Sequence, residues 1–144
     1  MAKQLTIFLQ NKPGRMKSIS DILLENKLNI WAFSIQDRGE FGLIKLIVDK
    51  PTDAELALKE RGVACALKDV LAVTAPDAPG NLDKLTAALL GKHVNIKDAY
   101  GFVSAGNKQG VCFLEVENPD GVDIAALLSE NGFGLMSDEQ LYEL

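Results

Sequence analysis

The sequence predicts an α+β protein built from two tandem copies of one β-α-β-β-α-β unit, and three observations carry that prediction. The stretch Asn11-Lys12-Pro13-Gly14-Arg15-Met16 returns as Asp77-Ala78-Pro79-Gly80-Asn81-Leu82. The two Pro-Gly pairs lie 66 residues apart, and residues 11–30 match residues 77–96 at six of twenty positions, including Leu23/Leu89, Leu24/Leu90, Asn29/Asn95 and Ile30/Ile96. Hydrophobic periodicity switches between two and 3.6 residues in the same order in both halves, which is how a duplicated unit shows itself.

In the first copy, Lys3 to Gln10 reads as a strand with Leu5, Ile7 and Leu9 on one face. A helix is predicted from Pro13 to Asn26, its apolar stripe made by Met16, Ile19 and Leu23. Strands Asn29–Asp37 and Phe41–Asp49 follow, joined by a turn at Arg38-Gly39-Glu40. A short helix from Asp53 to Arg61, capped by Thr52 or Asp53, stops at Gly62, and Val63 to Leu67 closes the unit. This order is the split-βαβ, or ferredoxin-like, arrangement. The second copy repeats it: Val70–Ala75, a helix Pro79–Lys92, strands Asn95–Val103 and Val111–Glu117, a helix Val122–Asn131, then Phe133–Met136. Beyond the second strand the offset between copies becomes 68, so the second hairpin is expected to be two residues longer. The domains are expected at 1–69 and 70–144, and the tail Gln140-Leu141-Tyr142-Glu143-Leu144 aligns with an opening strand.

Strand faces follow from alternation. Ile44, Leu46 and Val48, with Cys112, Leu114 and Val116, are predicted to face the helices. Trp31, Phe33, Ile35, Leu43 and Ile47 are assigned to the other face, which is then too apolar to be left in water and calls for a cover from the second copy or another chain.

Composition narrows the function. A net charge of −5 and a pI near 4.9, without a basic cluster, argue against nucleic acid. With 47% hydrophobic residues and a mean hydropathy of +0.07 a packed core is available. No apolar run is long enough for a membrane span and no signal-peptide pattern opens the chain, so no membrane partner and a cytoplasmic setting are expected. Cys65 and Cys112, far apart and each in an apolar stretch, read as buried free thiols, leaving no metal site to propose. His93, the single histidine, sits at a predicted helix end, where imidazole is common without a function. No nucleophile elbow, H-E-x-x-H or phosphate loop is present, and Gly106-Asn107-Lys108-Gln109-Gly110 reads as a hairpin turn. Neither catalysis nor a cofactor is expected.

The chemistry concentrates in the two Pro-Gly loops. Proline has φ preset near the helical value and suits the first helical position. A neighbouring glycine lets a guest approach the main chain, where first-turn N–H groups carry partial positive charge and suit a carboxylate. Asn11 and Asp77, two residues before proline, are left to cap the glycine N–H or to hold an ammonium group. A single copy would read as an ordinary helix start; two copies in register point to a shared use.

Strand, Asn/Asp-x-Pro-Gly-x-hydrophobic, then a helix ending before Leu28-Asn29-Ile30 or Val94-Asn95-Ile96, resembles the ACT domain, a regulatory module of amino-acid metabolism. The likeness covers nearly the whole chain as two ACT-type modules. It implies a free amino acid held between the strand-to-helix loop of one module and a neighbouring module. Carried over by position, the ligand-binding residues are Asn11, Lys12, Pro13, Gly14, Arg15, Met16 and Asn29 in the first copy. In the second they are Asp77, Ala78, Pro79, Gly80, Asn81, Leu82 and Asn95. Asp77 should hold an ammonium more strongly than Asn11, since charge-assisted hydrogen bonds are about twice as strong as neutral ones, and Arg15 could aid a carboxylate. The resemblance also implies a homodimer and regulation of a biosynthetic enzyme in trans. Two rivals stay open: a ligand-free subunit binding such an enzyme through the apolar face around Trp31 and Phe33, and an enzyme on the same superfold.

Overall fold

The computed structural model describes residues 1–10, 12–104, 106 and 108–142. The chain divides into two compact units, one built on Lys3–Asp69 and the other on Val70–Leu141, which Met1–Ala2 joins. Twelve elements are formed among the described residues: β1 Ala2–Leu9, α1 Arg15–Glu25, β2 Ile30–Asp37, β3 Gly42–Val48, α2 Pro51–Glu60, β4 Ala64–Pro76, α3 Asn81–Leu90, β5 Asn95–Ser104, β6 Gln109–Glu117, α4 Ile124–Glu130, β7 Gly134–Met136 and α5 Asp138–Tyr142.

Each unit has the same antiparallel sheet order. In the first, β2 pairs with β3 and β3 with β1, and β4 lies next to β1, tied to it by an ion pair between Lys3 and Asp69. In the second, β5 pairs with β6 and β6 with β4, and β7 pairs with β4 on its other side. The expected two separate strands around Lys68-Asp69 are instead one strand, β4, whose 13 residues serve both units in succession. Neither Lys68 nor Asp69 carries the Gly or Pro that breaks a strand.

Helices cover one face of each sheet, as the alternation predicted. Ile19, Ile22 and Leu23 of α1 and Ala54, Ala57 and Leu58 of α2 bury against Leu5, Ile7, Ile44, Leu46 and Val48. The second core repeats this with Leu85 and Leu89 of α3, Leu127 and Leu128 of α4, and Leu71, Val73 and Leu114 of the sheet, with Cys112 and Val116 at its margin. Fully burying one such side chain is worth about 1.5–3 kcal/mol, so these stripes hold the helices in place.

The far face differs from expectation. A bulge between Ile30 and Ala32 in β2 resets the alternation, so that Phe33 pairs with Leu46 and Ile35 with Ile44. Directly opposed residues share a face. Phe33 and Ile35 therefore lie on the helix side, at the open edge of the sheet where they are 59% and 42% exposed, and not with Leu43 and Ile47. The same bulge recurs between Ile96 and Asp98. Ile47 is fully buried on the far face, beside Gln4, which donates to Thr6 Oγ1 at 3.0 Å.

Element ends also shift. α2 starts at Pro51, two residues before the predicted Asp53, with neither Thr52 nor Asp53 capping it. α4 starts after Asp123, whose carboxylate accepts from the Ala126 N–H at 3.1 Å. The tail, whose pairing the sequence left open, forms α5, begun by Ser137 and Gln140 bonding each other's backbone, and buries Leu141 completely; Glu143 and Leu144 lie outside the described residues. The second hairpin is two residues longer, Val103 pairing with Gly110 where Asp37 pairs with Gly42; its Asn107 lies outside the described residues.

Candidate functional site

Both Pro-Gly loops close the same way. Arg15 N donates to Lys12 O at 3.1 Å and Asn81 N to Ala78 O at 3.4 Å, while Gly14 and Gly80 adopt φ +88 and +89 with ψ near zero. These are type II turns, with proline at the second position and a glycine supplying positive φ at the third. The proline is therefore not the first helical residue, as the sequence suggested: α1 and α3 begin two residues later, and glycine is their N-cap. Nothing lies within 4 Å of a Cβ built on either glycine, so conformation demands glycine here and open space adjoins it.

Among the described residues no side chain caps either helix start. Among the described residues, the N–H groups of Met16, Lys17, Leu82 and Asp83 find no partner outside their helices, which leaves partial positive charge at both loops. The surrounding charges differ. Lys12 and Arg15 stand at the first loop, with Lys17 paired to Asp21; Asp77 and Asp83 stand at the second.

The proposed site residues divide as follows. Asn11 lies outside the described residues. Lys12, Pro13, Gly14 and Arg15 are exposed on the first turn, and Met16 packs against the first core. Asp77 is fixed by its main chain, which donates to Lys108 O at 2.8 Å, while its exposed carboxylate has no partner among the described residues. Asn81 Nδ2 is committed to Pro76 O, bracing the loop against the end of β4. Asn29 N–H donates to the Asp49 carboxylate at 3.0 Å and Asn29 O accepts from Asp49 N–H at 3.1 Å, while Asn95 Nδ2 donates to Glu117 Oε2 at 3.5 Å.

The asparagines do not meet the loop of their own module. Leu9 and Asp37 both pair with Gly42, so the first loop sits at the C-terminal end of β2, while Asn29 precedes its start. At about 3.3 Å per residue the separation is roughly 25 Å. The second module repeats this, with Ser104 and Pro76 both opposite Gln109 and Asn95 opposite Glu117.

Under the second loop lies a cavity of about 330 Å³, with Asp77, Ala78 and Asn81 at its mouth and Val73, Ala75, Leu85, Gly101, Cys112 and Phe133 among its walls. Burial pushes the Cys112 thiol above its ordinary value. Asn95 borders a different hollow, of about 380 Å³, along the flank of α3 with Thr86 and Leu90. Sequence reasoning missed Gly101, Cys112 and Phe133. For Gly101 and Cys112 the signal was present as small residues where the first copy carries Ile35 and Ile44, which the strand pairing places side by side; Phe133 carried no such signal.

His93 sits in the left-handed region at φ 57 after α3, 81% exposed at its side chain, with Nδ1 3.3 Å from Asp120 Oδ2. Among the described residues no group of three metal-ligating side chains occurs, and no helix is long and apolar enough to cross a membrane.

Fold and loops together define a tandem of two ferredoxin-like modules, each opening its first helix on a Pro-Gly turn. The chain belongs to the family described as ACT domain pair, which matches residues 1–144. Protein BT0572 from Bacteroides thetaiotaomicron is similar at 33% identity, over 99% of this chain and 96% of that one, with a TM-score of 0.89. The fold is shared with the regulatory subunit of aspartate kinase from Thermus thermophilus, at 14% identity and a TM-score of 0.65 over 90% and 92% of the two chains. It is also shared with the alpha and beta subunits of an aspartokinase, at 14% identity and a TM-score of 0.57 over 91% and 97%. No curated protein matches the chain.

Proposed function

We propose that this chain is a non-catalytic sensor of a free amino acid, binding it at the strand-to-helix loops of its ACT modules and regulating an enzyme of amino-acid metabolism in trans. The observation that carries the reading is the loop built twice: a type II turn leading into a helix whose first N–H groups have no side-chain cap among the described residues. Those groups suit the ligand's carboxylate, and in the second copy Asp77, whose carboxylate has no partner among the described residues, suits its ammonium. A fold shared with an aspartate kinase regulatory subunit agrees with a regulatory role. Since Asn29 and Asn95 stand about 25 Å from their own loops, a site using loop and asparagine together draws them from two modules, for which a homodimer is the commonest arrangement.

Isothermal titration of the full chain against the twenty amino acids tests the reading. Heat and a raised melting temperature are expected with at least one, since a ligand at 100 times its Kd stabilises by about 2.7 kcal/mol. Silence with all twenty would end it. The rival, a ligand-free subunit that docks on an enzyme, draws support from the exposed Phe33, Ile35 and Phe41, and it predicts partner binding unchanged by amino acids or by Asn29→Ala and Asn95→Ala.

A further inference from the structure

The two modules place the same three-strand row beneath their loops. In the first the row is Ile7–Ile44–Ile35 and in the second Val73–Cys112–Gly101, each residue opposite its neighbour in the pairing register. One step closer to the loop, Leu9 and Ala75 hold equivalent places, opposite Gly42 and Gly110. At all four positions the second copy is the smaller. In the first, Ile7 and Ile44 are buried at 0% and 2% and Leu9 packs on the same core, so side chains occupy that space. In the second, the missing volume is the cavity of about 330 Å³. Gly101 is held small by the strand itself: a Cβ there would stand 2.4 Å from Val111 O.

We infer that the ligand enters the second module alone, one per chain, and that it is an α-amino acid with an uncharged apolar side chain. This rests on the sensing reading above and narrows it. The walls offered to a side chain are Val73, Ala75, Leu85, Cys112 and Phe133. Among the described residues the polar side chains lining the cavity are Asp77 and Asn81, at the mouth: the Asp77 carboxylate has no partner there and suits an ammonium, while Asn81 Nδ2 is committed to Pro76 O. A charged or amide head group laid against these apolar walls would lose partners that it has in water, which disfavours it. A cavity of this size is at the small end of ligand pockets. A hydrophobic pocket separates side chains by about 10–200-fold per methylene, so leucine, isoleucine or valine should bind at least tenfold more tightly than alanine.

Titration of the full chain with L-leucine, L-isoleucine, L-valine, L-alanine, L-glutamate and L-lysine gives stoichiometry and order. Ala75→Leu places the first copy's residue in the second copy's cavity and should weaken the best ligand at least tenfold. N-ethylmaleimide labelling of the unmodified protein, read by mass spectrometry, is a second measurement independent of any variant's folding. Ligand should slow labelling of Cys112, which lines the cavity, and leave Cys65, in the other module, unchanged. One apolar ligand per chain with Cys112 protected supports the inference. Two equivalents per chain, preference for a charged amino acid, or binding without protection of Cys112 overturns it while leaving amino-acid sensing intact. Failure of all twenty amino acids overturns both.

Discussion

Replacing Gly80 with alanine isolates what the Pro-Gly turn requires. At φ +89 an L-residue is held in the left-handed region, which costs about 1–2 kcal/mol. The added methyl meets no atom within 4 Å, so no steric strain adds to that figure. Alanine's lower entropy in the unfolded chain returns part of it, leaving a net loss near 1 kcal/mol. With a urea slope of about 2 kcal/mol/M the midpoint should fall by roughly 0.5 M. Gly14→Ala, at φ +88, should behave alike, and the double variant should be additive to within about 0.5 kcal/mol if the loops are independent. Gly80→Asn should lose less, because asparagine tolerates the left-handed region. An unchanged midpoint for Gly80→Ala, or asparagine proving as harmful as alanine, would refute the reasoning, since the turn would then not depend on positive φ.

Three further outcomes are expected. Gly101→Ala should be much worse than Gly80→Ala, costing upwards of 3 kcal/mol or abolishing folding, because the methyl would meet the Val111 carbonyl at 2.4 Å and backbone has to move; a mild effect by urea denaturation would show that the strand pair yields easily. Lys27→Gly and His93→Gly should each stabilise by about 1 kcal/mol, since both residues are left-handed at helix ends, φ 56 and 57, where glycine is favoured; a lower melting temperature would contradict this. Stability should fall as pH rises above about 8.5, the ordinary thiol value. Burial raises Cys65, aided by the nearby Glu55 carboxylate, and burial raises Cys112 and, with the Asp98 carboxylate, Tyr100. The unfolded chain then loses protons before the folded one, so the native state is penalised on the alkaline side. Urea midpoints from pH 7 to 10 measure it, and Cys112→Ala should flatten part of the slope.

The sequence by itself determined the duplication, the element order and the helix-facing rows. Those depend on local periodicity and on turn residues that act within a few positions of themselves, and Pro13-Gly14 and Pro79-Gly80 marked both loops. Only the tertiary structure decided which face Phe33 and Ile35 occupy, because a one-residue bulge reverses alternation without leaving a mark in composition. It also decided that Asn29 and Asn95 stand at the far end of the sheet from their loops, a matter of pairing register. The cavity under the second loop is of the same kind: Ala75, Gly101 and Cys112 are scattered in sequence, and their shared smallness becomes a volume only when three strands lay them side by side beneath one helix.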